Sequence, residues 1–136
     1  MKKLLILLFS LLISFNSYGD KVLYCNDEFA TGFTKQNGQW SIGKFNPIKF
    51  TIKFNHDYSL LSGLKGGEDW NCFNSYFTTE YNTIACVSAW QNGGTFSYHK
   101  GNKRYLYISN ITDGYVDTYV EPQGDDVLHA GTCKDF

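Results

Sequence analysis

After Gly19 polar and apolar residues alternate along most of the chain, and no stretch there carries a helical period. The clearest case is KFTIKF, where Phe50, Ile52 and Phe54 point one way and Lys49, Thr51 and Lys53 the other. Pro47 precedes it, as a strand start tolerates. Asn55-His56-Asp57 reads as a turn and Tyr58 to Leu61 as the returning strand. Earlier, Val22-Leu23-Tyr24 is a short apolar start, and Asn37-Gly38 is a strong two-residue hairpin signal. With that turn Phe33 faces Ile42 and Lys35 faces Trp40, so Phe29, Phe33, Trp40 and Ile42 share a face that is expected to be core.

Further on, SGLKGGED is a glycine-rich loop. A hairpin is expected next, with strands near Trp70–Phe77 and Tyr81–Trp90 around Thr78-Thr79-Glu80. QNGG leads into TFSYH, and KGNK turns into RYLYISNITDGYVDTYVE, Arg104 to Glu121. In that last stretch Thr112-Asp113-Gly114 suits a three-residue hairpin loop. The register it implies sets Leu106 opposite Val120, Ile108 opposite Thr118 and Asn110 opposite Val116 on an aliphatic face read as core. The other face carries Tyr105, Tyr107, Tyr115 and Tyr119 with Ser109, Asp117 and Glu121, and is expected either to meet solvent or to line a barrel interior. About nine short strands, with turns roughly every eight to twelve residues, predict an all-β antiparallel meander, closed as a barrel or stacked as a sandwich.

Composition changes the picture at the N-terminus. Lys2 and Lys3 precede an apolar run from Leu4 to Phe15, and Ser17 and Gly19 follow it. That order is the signature of a secretory signal peptide over residues 1–19; the run falls short of the ~20 apolar residues a membrane span needs. No stable membrane insertion is expected once it is cut. The remaining 117 residues, 20–136, suit a single domain. Loss of the two lysines leaves 10 basic residues against 13 acids, a net charge of −3, which argues against a nucleic-acid partner.

An exported chain with four cysteines, Cys25, Cys72, Cys86 and Cys133, reads as a disulfide framework in a secreted or periplasmic protein. Four cysteines allow three pairings. The 78–80 turn would put Cys72 opposite Cys86, which leaves Cys25 to join Cys133 and tie the first strand to the last. There is no Cys-x-x-Cys, so a zinc site is not expected.

Little catalytic chemistry shows. His56, His99 and His129 are isolated from one another and read as surface or turn histidines. No nucleophile elbow, His-Glu-x-x-His or phosphate loop appears. Asp113, Asp117, Glu121, Asp125 and Asp126 crowd the C-terminal quarter without a calcium-loop spacing and read as a solvated acidic rim. Asn110-Ile111-Thr112 spells a glycosylation sequon, relevant only in a eukaryotic secretory route, whereas the short Lys-Lys leader has a bacterial character.

The expected function is therefore a non-catalytic binding module without metal or cofactor. Its tyrosine face (Tyr105, Tyr107, Tyr115, Asp117, Tyr119 and Glu121) would take a glycan, a peptide or a protein. Two alternatives are a small hydrolase using the C-terminal acids and an inhibitor of an extracellular or periplasmic hydrolase. The latter would act through the Ser62–Gly67 loop, with Ser62, Gly63 and Lys65 as contacts. Ser62-Gly63-Leu64-Lys65 is similar to part of the loop motif of exported C-type lysozyme inhibitors, small β-barrels bracketed by terminal cysteines. Gly66 stands where that motif has tyrosine, and the resemblance spans four residues. The export reading predicts a secreted product that starts at Asp20 and has no titratable thiol. Intact Met1 on N-terminal sequencing, or four thiols in a native titration, would refute it.

Overall fold

The computed structural model describes residues 19–64, 67–74, 82–88, 94–109 and 125–136, and its strands follow the alternation closely. They are β1 (Lys21–Gln36), β2 (Gln39–Lys44), β3 (Lys49–Phe54), β4 (Leu60–Ser62) and β5 (Trp70–Asn74), then β6 (Thr83–Ser88), β7 (Thr95–His99), β8 (Arg104–Ser109) and β9 (Asp126–Asp135). Every neighbour is antiparallel, and β1 pairs with β9 to close an eight-strand barrel that leaves β2 as one extra strand. A single long strand supports both: residues 21–26 of β1 pair with β3, residues 31–36 with β2, and β9 runs along the opposite edge.

Several registers are the expected ones. The Asn37-Gly38 turn has positive φ at both residues and sets Phe33 opposite Ile42 and Lys35 opposite Trp40. Cys72 lies opposite Cys86 on β5 and β6, and Cys25 opposite Cys133 across the closing seam. Both pairs are disulfides, and no cysteine is free. In loop-entropy terms the 108-residue link constrains the unfolded chain by about 4.7 kcal/mol and the 14-residue link by about 3 kcal/mol. Two disulfides suit an oxidising extracellular or periplasmic compartment.

Two expectations about faces are overturned. The first is the face of Phe29, Phe33, Trp40 and Ile42, which is not core: Phe29 is 68% and Ile42 79% exposed. The cause is a β-bulge. On β1 Asp27 pairs with Gly131 while Phe29 pairs with Ala130, so Glu28 is an extra residue. Before it Leu23, Cys25 and Asp27 point inward; after it the inward parity passes to Ala30 and Gly32, and Phe29 and Phe33 turn outward. Gly32 lies so close to β9 that a Cβ there would sit 1.8 Å from the Asp126 carbonyl oxygen.

The second concerns the Leu106–Val120 hairpin. Both edges of β8 are occupied, by β7 (Tyr98 opposite Tyr105, Phe96 opposite Tyr107) and by β9 (Gly131 opposite Tyr105, Ala130 opposite Leu106). Leu106 therefore cannot face Val120, nor Ile108 Thr118. Residues 110–124, with Tyr115, Asp117, Tyr119, Glu121 and the 112–114 turn, lie outside the described residues, as does Lys65. The aliphatic face is also not the core one: Leu106 is 41% exposed, whereas Tyr105 and Tyr107 are buried inside the barrel. Pairing decides this, because β8 is locked between strands whose inward residues are Phe96, Tyr98, His129, Gly131 and Cys133.

An aromatic column fills the interior. Phe54 packs against Tyr58, Tyr98 and Phe96; Phe96 stacks on Tyr105 with centroids 5.6 Å apart; Phe50 and Trp70 lean on Tyr107. The end near Tyr58 and Tyr98 is closed by these rings and ringed by ion pairs, Asp135 with Lys21 and Lys103, and Asp20 with Lys53. Such exposed pairs each contribute little. The interior placement predicts that Tyr107→Ala lowers the unfolding free energy by about 3–5 kcal/mol through a core cavity, while Leu106→Ala costs about 1 kcal/mol or less. Urea melts of the two variants check it; equal losses would contradict the assignment of faces.

Candidate functional site

At the end of the barrel away from Tyr98 the column stops at Tyr107, and a cavity of about 830 Å³ opens above it. Its lining comes from the 45–50 segment (Phe45, Asn46, Ile48, Lys49 and Phe50), from Gly63 and Leu64 after β4, and from Tyr107, Ser109, Asp125, Val127 and His129. Asn46, Lys49 and Asp125 form an exposed polar rim, while Phe50, Leu64 and Tyr107 are turned inward. The volume lies within the range of sites for a small organic ligand, and an eight-strand barrel is wide enough to hold one.

The floor of this cavity rests on a buried carboxylate. Asp27 is the last inward residue before the bulge, and its side chain is fully enclosed. A carboxylate in that position requires hydrogen-bond donors, and three are present. The Tyr105 hydroxyl donates to Oδ1 at 2.5 Å. The Ile48 backbone N–H donates to Oδ2 at 2.9 Å, and His129 Nδ1 meets the same oxygen at 2.7 Å. The Asp27 backbone N–H in turn donates to the Ile48 carbonyl. The 45–48 connection, which walls the cavity, is thus tied to the bulge from both directions, and Phe45 adds a bond from its N–H to the Ala30 carbonyl.

Gly131 makes the network possible. It stands opposite Tyr105, and a Cβ there would lie 2.1 Å from the Asn26 carbonyl oxygen and 2.8 Å from the Tyr105 hydroxyl. Only a residue without a side chain lets β1 and β9 close while the phenol reaches Asp27. His129 is held from a second side by Tyr107, whose ring lies nearly parallel to the imidazole at 5.4 Å. Removing the carboxylate would strand two buried donors, on Tyr105 and His129, each worth about 1–3 kcal/mol when left unpaired, and free the part-buried Ile48 N–H.

Of the residues expected to form a site, Tyr105 and Tyr107 are present but work inside the barrel. Tyr105 supports Asp27, and Tyr107 forms the cavity floor. Ser62 bonds weakly to the Lys53 carbonyl, at 3.4 Å. Gly63 (φ +94°) and buried Leu64 form part of the cavity wall, so the described part of that loop turns into the barrel. Among the acids, Asp125 stands at the rim. His56 is an exposed turn residue, whereas His99 is the last residue of β7, opposite Thr83, and caps the turn that follows: its Nδ1 accepts from the Gly101 and Asn102 N–H groups. His129 is not a turn residue; it is buried against Asp27. Asp27, Gly131 and His129 were the residues that sequence reasoning missed. Gly131 inside an alternating strand was the available signal, since glycine there marks a close backbone approach. Among the described residues no three His, Cys, Asp or Glu side chains cluster in a way that could hold a metal ion.

Burial also sets the behaviour of the phenols. Tyr98 is pushed up from 10.0 to about 12, mainly by desolvation and then by the nearby Asp135 charge. Tyr107 is raised by desolvation, and Tyr105 is raised further by desolvation and by its bond to Asp27. A group raised in the fold contributes stability that is complete below its unfolded pKa and is lost as pH climbs towards its folded one. The barrel is therefore expected to hold full stability up to about pH 10 and to lose it between 10 and about 12, as Tyr98 becomes able to ionise on unfolding. Phenolate absorbance followed alongside urea midpoints checks this. Tyrosines that all ionise near pH 10 in the folded protein would contradict it.

No protein-family model and no curated protein sequence matches the chain, so no relative lends these residues a role.

Proposed function

We propose that the protein is an exported, non-catalytic binding module that holds a small amphipathic ligand, or the end of a larger glycan or peptide, in the open mouth of its barrel. The observation that carries this reading is the cavity itself. It is about 830 Å³, with an aromatic floor and a rim of Asn46, Lys49 and Asp125. Small-molecule sites combine apolar walls with a few placed polar groups in this way. The leader-like residues 1–19 and the two disulfides support export. Tyr105 and Tyr107 lie in the barrel interior, one of the two settings expected for the tyrosine face, and Tyr107 borders the cavity, which supports a site at the mouth.

The test is a screen of small polar-aromatic compounds and short glycans against the mature protein by thermal shift and amide NMR. A ligand at 100 times its Kd should stabilise the fold by about 2.7 kcal/mol. Its shifts should map to Phe45–Phe50, Ser109 and Val127. Val127→Phe, which fills the cavity, should abolish binding while the fold persists. Shifts confined to the outer faces of β5 and β6, or binding that Val127→Phe leaves intact, would overturn the reading.

A further inference from the structure

Asp27 determines where the proton on His129 resides. Oδ1 receives the Tyr105 hydroxyl, and Oδ2 receives the Ile48 N–H. A carboxylate has only acceptors to offer, so the imidazole nitrogen 2.7 Å from Oδ2 must be the one that carries hydrogen. In the neutral ring that leaves Nε2 with its lone pair. No hydrogen bond among the described residues uses Nε2, and His129 is a lining residue of the cavity. The ring cannot turn to change this, because Tyr107 is stacked on it and Asp27 holds its other edge. Around it the inner wall is mainly apolar, with Phe50, Leu64, Val127 and the Tyr107 ring, and the Ser109 hydroxyl is turned to the Val127 carbonyl at 3.4 Å. Lys49 and Asp125 are out at the rim.

We propose that His129 is the specificity-determining residue of the cavity. Its Nε2 is a fixed acceptor that selects a neutral, hydroxyl-bearing ring, whether a phenol or a sugar, over a carboxylate or phosphate of the same size. This rests on the mouth of the barrel being a ligand site. A hydroxyl presents its hydrogen to the lone pair. An anion would set acceptor against acceptor, with the buried Asp27 carboxylate directly behind. Where the bound ring has displaced the water around Nε2, leaving such a pair unmatched costs about 1–3 kcal/mol, a discrimination of roughly 5- to 150-fold.

The mature protein, labelled with ¹⁵N, is titrated at neutral pH with phenol, benzoate, methyl glucoside and glucuronate while the imidazole nitrogens of His129 are followed. In the free protein Nδ1 should be protonated and Nε2 bare. Phenol or methyl glucoside should move the Nε2 resonance and bind at least about 5-fold more tightly than its carboxylate counterpart. Whichever of the two neutral probes binds identifies the ring as aromatic or sugar. His129→Gln, which can still offer an acceptor oxygen, should keep that preference, and His129→Phe should lose it. The wild-type readouts stand even if a variant fails to fold. A protonated Nε2 in the free protein, or a carboxylate probe that binds as tightly as its neutral partner, overturns this role while leaving the cavity a binding site. If none of the four probes moves a resonance of the cavity, the selection of hydroxyl-bearing rings falls, and the screen above decides separately whether the mouth binds anything.

Discussion

The buried carboxylate of Asp27 is the constraint on which the open end of the barrel depends. An enclosed charge is tolerated only when its oxygens are matched by donors. Here those donors come from three places far apart in sequence: Ile48 before β3, Tyr105 on β8 and His129 on β9. Meeting that requirement draws the 45–48 connection down over the bulge and brings Tyr105 against the closing seam. It also orients the imidazole at the cavity floor. The strand pairings alone would form a barrel; Asp27 gives its mouth a defined wall and floor.

The two ends of the barrel differ for a related reason. A barrel of eight strands has an interior that side chains can just fill. From Phe54 and Tyr98 through Phe96 to Tyr105 and Tyr107 the rings do fill it, joined by stacked or tilted contacts. Beyond Tyr107 the inward positions of β9 and β8 carry Val127 and Ser109, which are too small to continue the column. The cavity is the space that these smaller residues leave, and it adjoins the one enclosed polar network found among the described residues. Packing accounts for most of the stability in the column, and polar geometry is concentrated at the mouth.

Local rules carried the sequence reading a long way. Asn37-Gly38 predicted its turn and register, and the spacing of Cys72 and Cys86 around a turn predicted both their pairing and, by elimination, the other bridge. The turn and the first bridge depend only on residues close in sequence, whose backbone preferences dominate, and the second bridge on a count that then leaves one pairing. The failures share one cause. Alternation reports that two faces exist; it does not report which of them is inside. On β8 the general preference of leucine and isoleucine for the interior pointed to Leu106 and Ile108, and the packed column took Tyr105 and Tyr107 instead. On β1 one extra residue, Glu28, reversed the parity and sent Phe29 outward, and a bulge of one residue leaves no strong mark in a pattern of period two.

The sequence by itself therefore determined an all-β chain, the positions of most strands and turns, and the disulfide pairs. Each follows from local geometry or from a count that allows few answers. Only the tertiary structure decided the sense of each face and the site. Asp27 and His129 are 102 residues apart and meet solely because β1 closes on β9 with Gly131 leaving room at the seam. A contact of that kind has no periodic or local signature. It exists only when the last strand pairs with the first, because that pairing alone brings a buried carboxylate within reach of the donors it requires.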